Sequence, residues 1–196
     1  MARSFALLYT ILTDRELFWF VKEELGKYNI KLEVPNTDKV QMWSSEGEMV
    51  SIHKKEFFSI LPNINKYLIQ FWWSELNDLS IQINHYANLS ECIFYLDGLD
   101  EKQFRDIFKV LRLIASNSLK RDMIKGFVVD RYKFTLDFDW ANFFMTDEVF
   151  LELPMKYCAL SMYKELDMYT DNIKEDNIYF VKRNEFNEFK LYELIK

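Results

Sequence analysis

Histidines, cysteines and closely spaced carboxylates are the residues of this chain whose types could support acid–base, nucleophilic or metal chemistry. The chain has two histidines, His53 and His85, and two cysteines, Cys92 and Cys158. Neither histidine stands beside a serine, cysteine or aspartate in a recognisable nucleophile motif, so we interpret both as surface or edge residues. The cysteines lie in the apolar stretches ECIFYL and KYCALSMY, which is typical of buried free thiols.

A metal site or a cofactor site is not expected from these residues. Zinc would require all four side chains to converge, and their spacing matches no zinc finger or zinc ribbon. The sequence contains no CxxC, HxxxH or HExxH motif. Glycine occurs only four times and proline three times, which excludes a glycine-rich phosphate-binding loop.

The acidic and aromatic segment DRYKFTLDFDW, from Asp130 to Trp140, is the strongest candidate for a functional surface. Asp137 and Asp139 are two residues apart, so on a strand they would project to the same face. Three interpretations remain open: a solvated face whose apolar side chains point inward, a contact surface for a macromolecule, and a site for Mg²⁺ or Mn²⁺. The metal site would also need phosphate ligands, and the segment shows no glycine-rich turn that could supply them.

Composition bounds the class of protein and of partner. The chain has 196 residues, of which 49% are hydrophobic and 29% charged, and its formal net charge is -6. A negative charge argues against non-specific binding to nucleic acid or to an anionic membrane, and it permits a basic protein partner. The N-terminus resembles no signal peptide and no apolar run is long enough to span a bilayer. A cytoplasmic location is therefore expected.

Two amphipathic helices are predicted, and each begins with a capping box. Thr13 can accept a hydrogen bond from the amide of Glu16 while the Glu16 side chain reaches back, which predicts a helix over residues 14–25. Asp100 and Gln103 form a variant of the same motif, and the apolar residues that follow recur at helical spacing. Both helices are expected to pack on a sheet.

Strands are predicted where short apolar or alternating runs are bounded by turn residues. Residues 79–86 alternate apolar and polar side chains, which predicts a sheet with one solvated face. The adjacent Trp72 and Trp73 must point to opposite faces of a sheet, and Asn77-Asp78 is the predicted turn after them. The predicted strands cover residues 5–12, 30–34, 39–43, 48–53, 67–73, 79–86, 91–96 and 126–129, with a short helix over residues 54–61.

The C-terminal part is predicted from weaker patterns. Residues 134–140 suit an irregular strand or a loop, residues 155–168 suit a helix, and residues 178–182 and 188–194 suit a closing hairpin. The chain is therefore predicted to be one α+β domain over residues 1–196. It would have a mainly antiparallel sheet, two principal helices packed on it, and a C-terminal helix plus hairpin.

The stretch GFVVDRYKFTLDFDWANFF, from Gly126 to Phe144, resembles a segment of small bacterial immunity proteins. These are cytoplasmic antidotes encoded beside polymorphic or contact-dependent toxins. The shared features are a buried strand that ends in Asp-Arg, a turn, and an acidic, aromatic Asp-x-Asp-Trp run. The resemblance implies a protein without catalytic residues that binds a basic toxin domain. It also implies contact roles for Asp130, Asp137 and Asp139, with Trp140 as an anchor if it is exposed.

Three functions thus follow as hypotheses from the sequence. The leading one is a non-catalytic immunity protein that neutralises a cognate toxin by direct binding. The second is a metal-dependent enzyme that acts on phosphate-containing substrates through Asp130, Asp137 and Asp139. The third is a structural or assembly subunit, which would form homo-oligomers.

Overall fold

A computed structural model describes residues 5–121, 123–130, 139–145, 157–163, 178–183 and 189–194. Its elements alternate between strands and a few helices along the chain. The strands are β1 (Phe5–Thr10), β2 (Lys39–Ser44), β3 (Met49–His53), β4 (Tyr67–Ser74), β5 (Asn77–Tyr86), β6 (Leu89–Tyr95), β7 (Ile124–Asp130), β8 (Tyr157–Tyr163), β9 (Ile178–Arg183) and β10 (Phe189–Leu194). The helices are α1 (Asp14–Gly26), α2 (Lys54–Ile60), α3 (Glu101–Lys120) and α4 (Trp140–Met145), with a 3₁₀ helix at Leu61–Lys66.

The ten strands form one sheet in the order β3-β2-β4-β5-β6-β1-β7-β9-β10-β8. Each pair of neighbouring strands in this order is antiparallel. The predicted α+β class with a mainly antiparallel sheet is therefore confirmed. The strands β6 and β7 flank β1 and run parallel to each other, because both are antiparallel to β1. The helix α3 connects them as a crossover.

The N-termini of α1 and α3 form as their capping residues predict. The Thr13 side chain accepts from the backbone N–H of Glu16 and the Glu16 carboxylate accepts from the backbone N–H of Thr13. At α3, the Asp100 carboxylate accepts from the Gln103 backbone N–H at 2.8 Å, and the Gln103 side chain accepts from the Asp100 backbone N–H at 2.7 Å. Each box satisfies two N–H groups that a helix start leaves without partners.

The main core lies between one face of the sheet and the helices α1 and α3. Alternate residues of the central strands supply it, among them Leu8, Ile83 and Phe94, each with no exposed surface. Burying one such side chain contributes about 1.5–3 kcal/mol. A second, smaller cluster lies on the opposite face, where α4 packs over Leu7 and Tyr9. The central part of the sheet is thus covered on both sides.

Three sequence predictions about local structure are wrong. Residues 30–34 do not form a strand; only isolated bridges occur there, at Lys31 and Glu33. The turn between β4 and β5 is Glu75-Leu76, because the register shifts near Trp72 and β5 already begins at Asn77. The helix expected over residues 155–168 is contradicted by β8, which pairs with β10. The two predicted hairpins, β2–β3 and β9–β10, are confirmed.

Candidate protein-binding site

The side of the sheet opposite α1 and α3 carries the groups that we assign to a candidate binding site. On this side, α4 packs against β1, β6 and β7. The side chains that β2, β4 and β5 direct to this side stay at least partly exposed. We call the part of this side that runs from β3 to β6 the open face. It is the solvated face that the alternation in residues 79–86 predicts.

One row of directly opposed residues crosses the open face. Strand registers place Met49, Trp43, Leu68, Gln82 and Ile93 side by side on five successive strands. Trp43 is 37% exposed and Met49 56% exposed. Tryptophan and methionine are enriched in protein interfaces relative to the rest of the surface. This row therefore offers a partner two exposed apolar side chains at one end, followed by Leu68 and the polar Gln82 further along it.

The polar side chains of the open face are held in place by hydrogen bonds to one another. The Tyr95 hydroxyl donates to Gln82 Oε1 at 2.8 Å, and Gln82 Nε2 donates to Asn84 Oδ1 at 3.2 Å. Asn84 Nδ2 donates in turn to Glu91 Oε2 at 2.8 Å. A chain of this kind fixes the rotamers before any partner arrives, so less conformational entropy is lost on binding.

Glu91 is the last residue of that series of hydrogen bonds, and its buried carboxylate also contacts two tyrosines. It is 5% exposed and accepts hydrogen bonds from the Tyr9 hydroxyl and, at 3.2 Å, from the Tyr86 hydroxyl. Burial first, and then the Glu91 charge, raise the pKa of Tyr9 well above its usual range and that of Tyr86 to about 12. The Asp139 charge adds a smaller effect on both. Both phenols therefore stay protonated and act as donors at neutral pH.

Within the described ranges, two buried side-chain atoms on the same side have no hydrogen-bond partner. They are Gln70 Oε1 and Trp72 Nε1, and both are shielded from water. Gln70 is otherwise fixed, because its Nε2 donates to Asp78 Oδ2 at 3.0 Å. A side chain would have to rotate before a partner group could reach either atom, and each contact made would recover a desolvation cost of about 1–3 kcal/mol. The neighbouring Trp73 packs on the main core instead.

Two of the four residues proposed as contacts from the sequence have described side chains, and each has a structural role at α4. Asp139 Oδ1 accepts from the Asn142 backbone N–H at 2.9 Å, so Asp139 is the N-cap of α4. Its side chain is exposed, which leaves the second oxygen available to a partner. Trp140 begins α4 and is only 3% exposed. The condition for its role as an anchor is therefore not met.

The close packing of α4 on the sheet explains why glycine occupies position 126, the first residue of the segment that resembles immunity proteins. Trp140 stacks on Phe144 with ring centroids 5.9 Å apart, and Phe144 lies 4.8 Å from the ring of Tyr9. A Cβ atom at Gly126 would overlap the Phe144 ring. The first and last residues of the segment thus touch each other, and the absence of a side chain at Gly126 makes that contact possible.

The other two proposed contacts are only partly placed. Asp130 is the last residue of β7 and pairs with Phe5 of β1; its side chain lies outside what the structure describes. Asp137 lies outside the described residues altogether. In the described part of the chain, no group of three histidine, cysteine, aspartate or glutamate side chains could hold a metal ion.

Both histidines lie at the surface, as predicted, and each contacts a carboxylate through Nδ1. His53 is 3.1 Å from Asp38, and this hydrogen bond is the main cause of the lowered pKa of Asp38. His85 is 3.1 Å from both Asp14 and Ser90. Ser90 has no exposed surface and its hydroxyl donates to the same Asp14 oxygen. A substrate could not reach that hydroxyl, so the arrangement does not form a serine nucleophile with its base.

A cleft of about 720 Å³ lies beside β4 and is lined in part by Trp72 and by charged side chains. Glu33 pairs there with Lys54, Asp38 pairs with His53, and Glu75 accepts a hydrogen bond from Asn36 Nδ2 at 2.6 Å. Lys31 also lines the cleft. Cys92 is buried, as predicted, and burial raises the pKa of its thiol, so it is not poised as a nucleophile.

Sequence reasoning identified the polar face of β5 but missed the exposed end of the row, Trp43 and Met49. The β2–β3 hairpin was predicted, but the two-residue alternation of its side chains does not indicate which side packs on the core. Only the position of β3 at the sheet edge shows that this hairpin is incompletely covered.

No family model, no curated protein and no solved structure matches this chain. The described residues contain no helix that is both long and apolar enough to cross a membrane.

Proposed function

We propose that this chain is a cytoplasmic immunity protein, without catalytic activity, that neutralises a cognate toxin by binding it directly. The observation that carries the proposal is the open face, where hydrogen-bonded polar side chains of β5 and β6 lie on the same side of the sheet as the exposed Trp43 and Met49. The resemblance of residues 126–144 to immunity proteins and the net charge of -6 support it. A negatively charged protein is steered towards a basic partner by long-range attraction.

In this proposal Trp43 is the main anchor, because it is large, aromatic and 37% exposed near one end of the row. Its burial in a complex would add apolar contact area, while Gln82 and Asn84 would supply hydrogen bonds that are already oriented. Interface positions of this type often lose 2 kcal/mol or more on truncation, which corresponds to a roughly 30-fold weaker affinity.

Acidic residues would act mainly on the rate of association. Asp139, with Asp130 and Asp137, remains a candidate contact for lysine or arginine of the toxin. Because Asp139 caps α4, the informative change is Asp139→Asn, which keeps a good capping residue and removes the charge. We expect slower association that becomes less sensitive to salt, with little change in dissociation.

The proposal predicts that a toxin domain is encoded beside the gene for this chain, and the experiment uses that domain. Co-expression should restore growth, and calorimetry should show a stoichiometric complex. The variant Trp43→Ala should weaken binding, while the control Leu113→Ala should not, since Leu113 is 38% exposed but lies on α3, which packs on the other side of the sheet. Absence of both rescue and binding would refute the proposed function. Equal effects of the two variants would refute the site.

A further inference from the structure

The strand β3 forms one edge of the sheet, and the open face begins there. In the described chain it pairs with β2 alone. Its residues alternate between exposed and half-buried: Met49, Ser51 and His53 are exposed, and Val50 and Ile52 are half-buried against the main core. Natural edge strands are usually protected by lysine, proline or a bulge within the strand. The sequence MVSIH contains neither lysine nor proline, and its register with β2 has no shift.

The hydrogen bonds of the hairpin show which backbone groups of β3 point outward. Ser44 N donates to Glu48 O at 2.8 Å, and Lys54 N donates to Asp38 O at 2.8 Å. Hydrogen-bonded pairs alternate with non-bonded pairs along an antiparallel ladder. Val50 and Ile52 therefore direct their N–H and C=O groups to β2. The N–H and C=O groups of Met49, Ser51 and His53 point away from the sheet.

We propose that a second copy of this chain pairs antiparallel with β3, with the symmetry axis at Ser51, so that the two sheets become one. This register uses all three outward-pointing residues. Ser51 lies opposite Ser51 of the second copy, and Met49 lies opposite its His53. Each such pair exchanges two hydrogen bonds, for about six in total.

Side chains on both sides of the edge fit this register. On the core side, half-buried Val50 would lie opposite Ile52 of the second copy, so the apolar core continues across the axis. At each end, Glu48 would lie opposite Lys54 of the second copy. Lys54 already pairs with Glu33, but 42% of its side chain remains exposed and can approach a second carboxylate. Opposite charges directly across a ladder stabilise the pairing.

The contact is short, so the dimer is expected to depend on concentration. Only residues 48–54 of each chain take part, which is far less than the interface of an obligate dimer. Sedimentation velocity over about 1–200 µM should show a monomer–dimer equilibrium within that range. Hydrogen–deuterium exchange of the intact protein, measured on the proteolytic fragment that contains β3, should slow as the dimer population rises.

The decisive variant is Ser51→Pro, with Ser51→Ala as its matched control. Proline removes the outward N–H of Ser51 and leaves the ladder to β2 intact, since an edge strand tolerates proline where the N–H faces solvent. The proline variant should remain monomeric over the whole range, and the alanine variant should dimerise like the native chain. A native chain that is monomeric throughout would overturn the proposal, as would a folded proline variant that still dimerises.

A charge variant keeps the proposal testable if the proline variant fails to fold. Glu48→Lys places a lysine opposite Lys54 of the second copy at both ends and should weaken dimerisation roughly tenfold at low salt. Glu23→Lys, an exposed position on α1 with the same change in net charge, is its control. If the two lysine variants dimerise equally well, the antiparallel pairing about Ser51 is wrong.

Discussion

Replacing Gly126 with alanine tests how α4 is docked on the sheet. An added Cβ would overlap three ring atoms of Phe144. The ring cannot move away freely, because it is 6% exposed and is held between Trp140 and Tyr9. Either α4 shifts outward or the strand backbone moves. Inserting one carbon into a packed site of this kind typically costs about 1–3 kcal/mol.

For a chain of this length, 1 kcal/mol corresponds to a change in Tm of about 2–4 °C, so Gly126→Ala should lower Tm by roughly 2–12 °C. The matched control is Gly26→Ala at the end of α1, where an added Cβ meets nothing within 4 Å. Alanine there should be neutral or stabilising by up to about 1 kcal/mol, because glycine is a poor helix former. Differential scanning calorimetry of the two variants under identical conditions gives the comparison.

The double variant Gly126→Ala with Phe144→Leu tests whether the overlap with the Phe144 ring causes the loss of stability. Removing the ring removes the overlap, so the double variant should be more stable than the sum of the two single losses predicts. Equal Tm values for Gly126→Ala and Gly26→Ala, or strictly additive losses in the double variant, would show that α4 does not pack on β7 as described.

The remaining predictions concern pH dependence and the start of α1. Burial and the Glu91 carboxylate raise the pKa of Tyr86 to about 12 from 10.0, so the stability that this phenol contributes is complete below pH 10 and is lost as the pH rises through about 12. The Tm of the native chain should therefore fall more steeply between pH 10 and 12 than that of Tyr86→Phe; parallel curves would contradict this. Thr13→Ala should lower the free energy of unfolding by about 1 kcal/mol, because it removes the cap of α1. Glu16→Gln should lower it less, because glutamine also completes a capping box. Thermal unfolding followed by circular dichroism measures both losses, and a reversed order would contradict the capping assignment.

Elements whose signals are local were predictable from the sequence. The helices α1 and α3 have their capping residues and apolar stripes within a single stretch of chain, and β5 has a strict two-residue alternation. These patterns depend on neighbouring residues alone, so no knowledge of distant partners is needed. The hairpins β2–β3 and β9–β10 belong to the same class, since each strand pairs with the next one along the chain.

Two of the three predictions that failed depended on partners far away in sequence. The apolar stretch over residues 155–168 was predicted to be a helix, but the pairing of Tyr157–Tyr163 with β10 makes it the strand β8. Residues 30–34 alternate like a strand but bond to Trp72 and Val40 only through isolated bridges. In both places the backbone hydrogen bonds that define a strand come from another segment, which local periodicity does not reveal.

The sequence by itself determined that the chain folds as an α+β protein, that its formal net charge is -6, and that β5 has a polar side. Tertiary structure alone decided which candidate residues are accessible. Trp140 looks like an anchor in the sequence but is buried, because Gly126 lets the Phe144 ring approach the sheet and α4 closes over it. Trp43 looks ordinary in its hairpin but is exposed, because it points to the side of the sheet where α4 packs over β1, β6 and β7 and not over β2. Exposure depends on what packs above a side chain, and that is a property of the assembled fold.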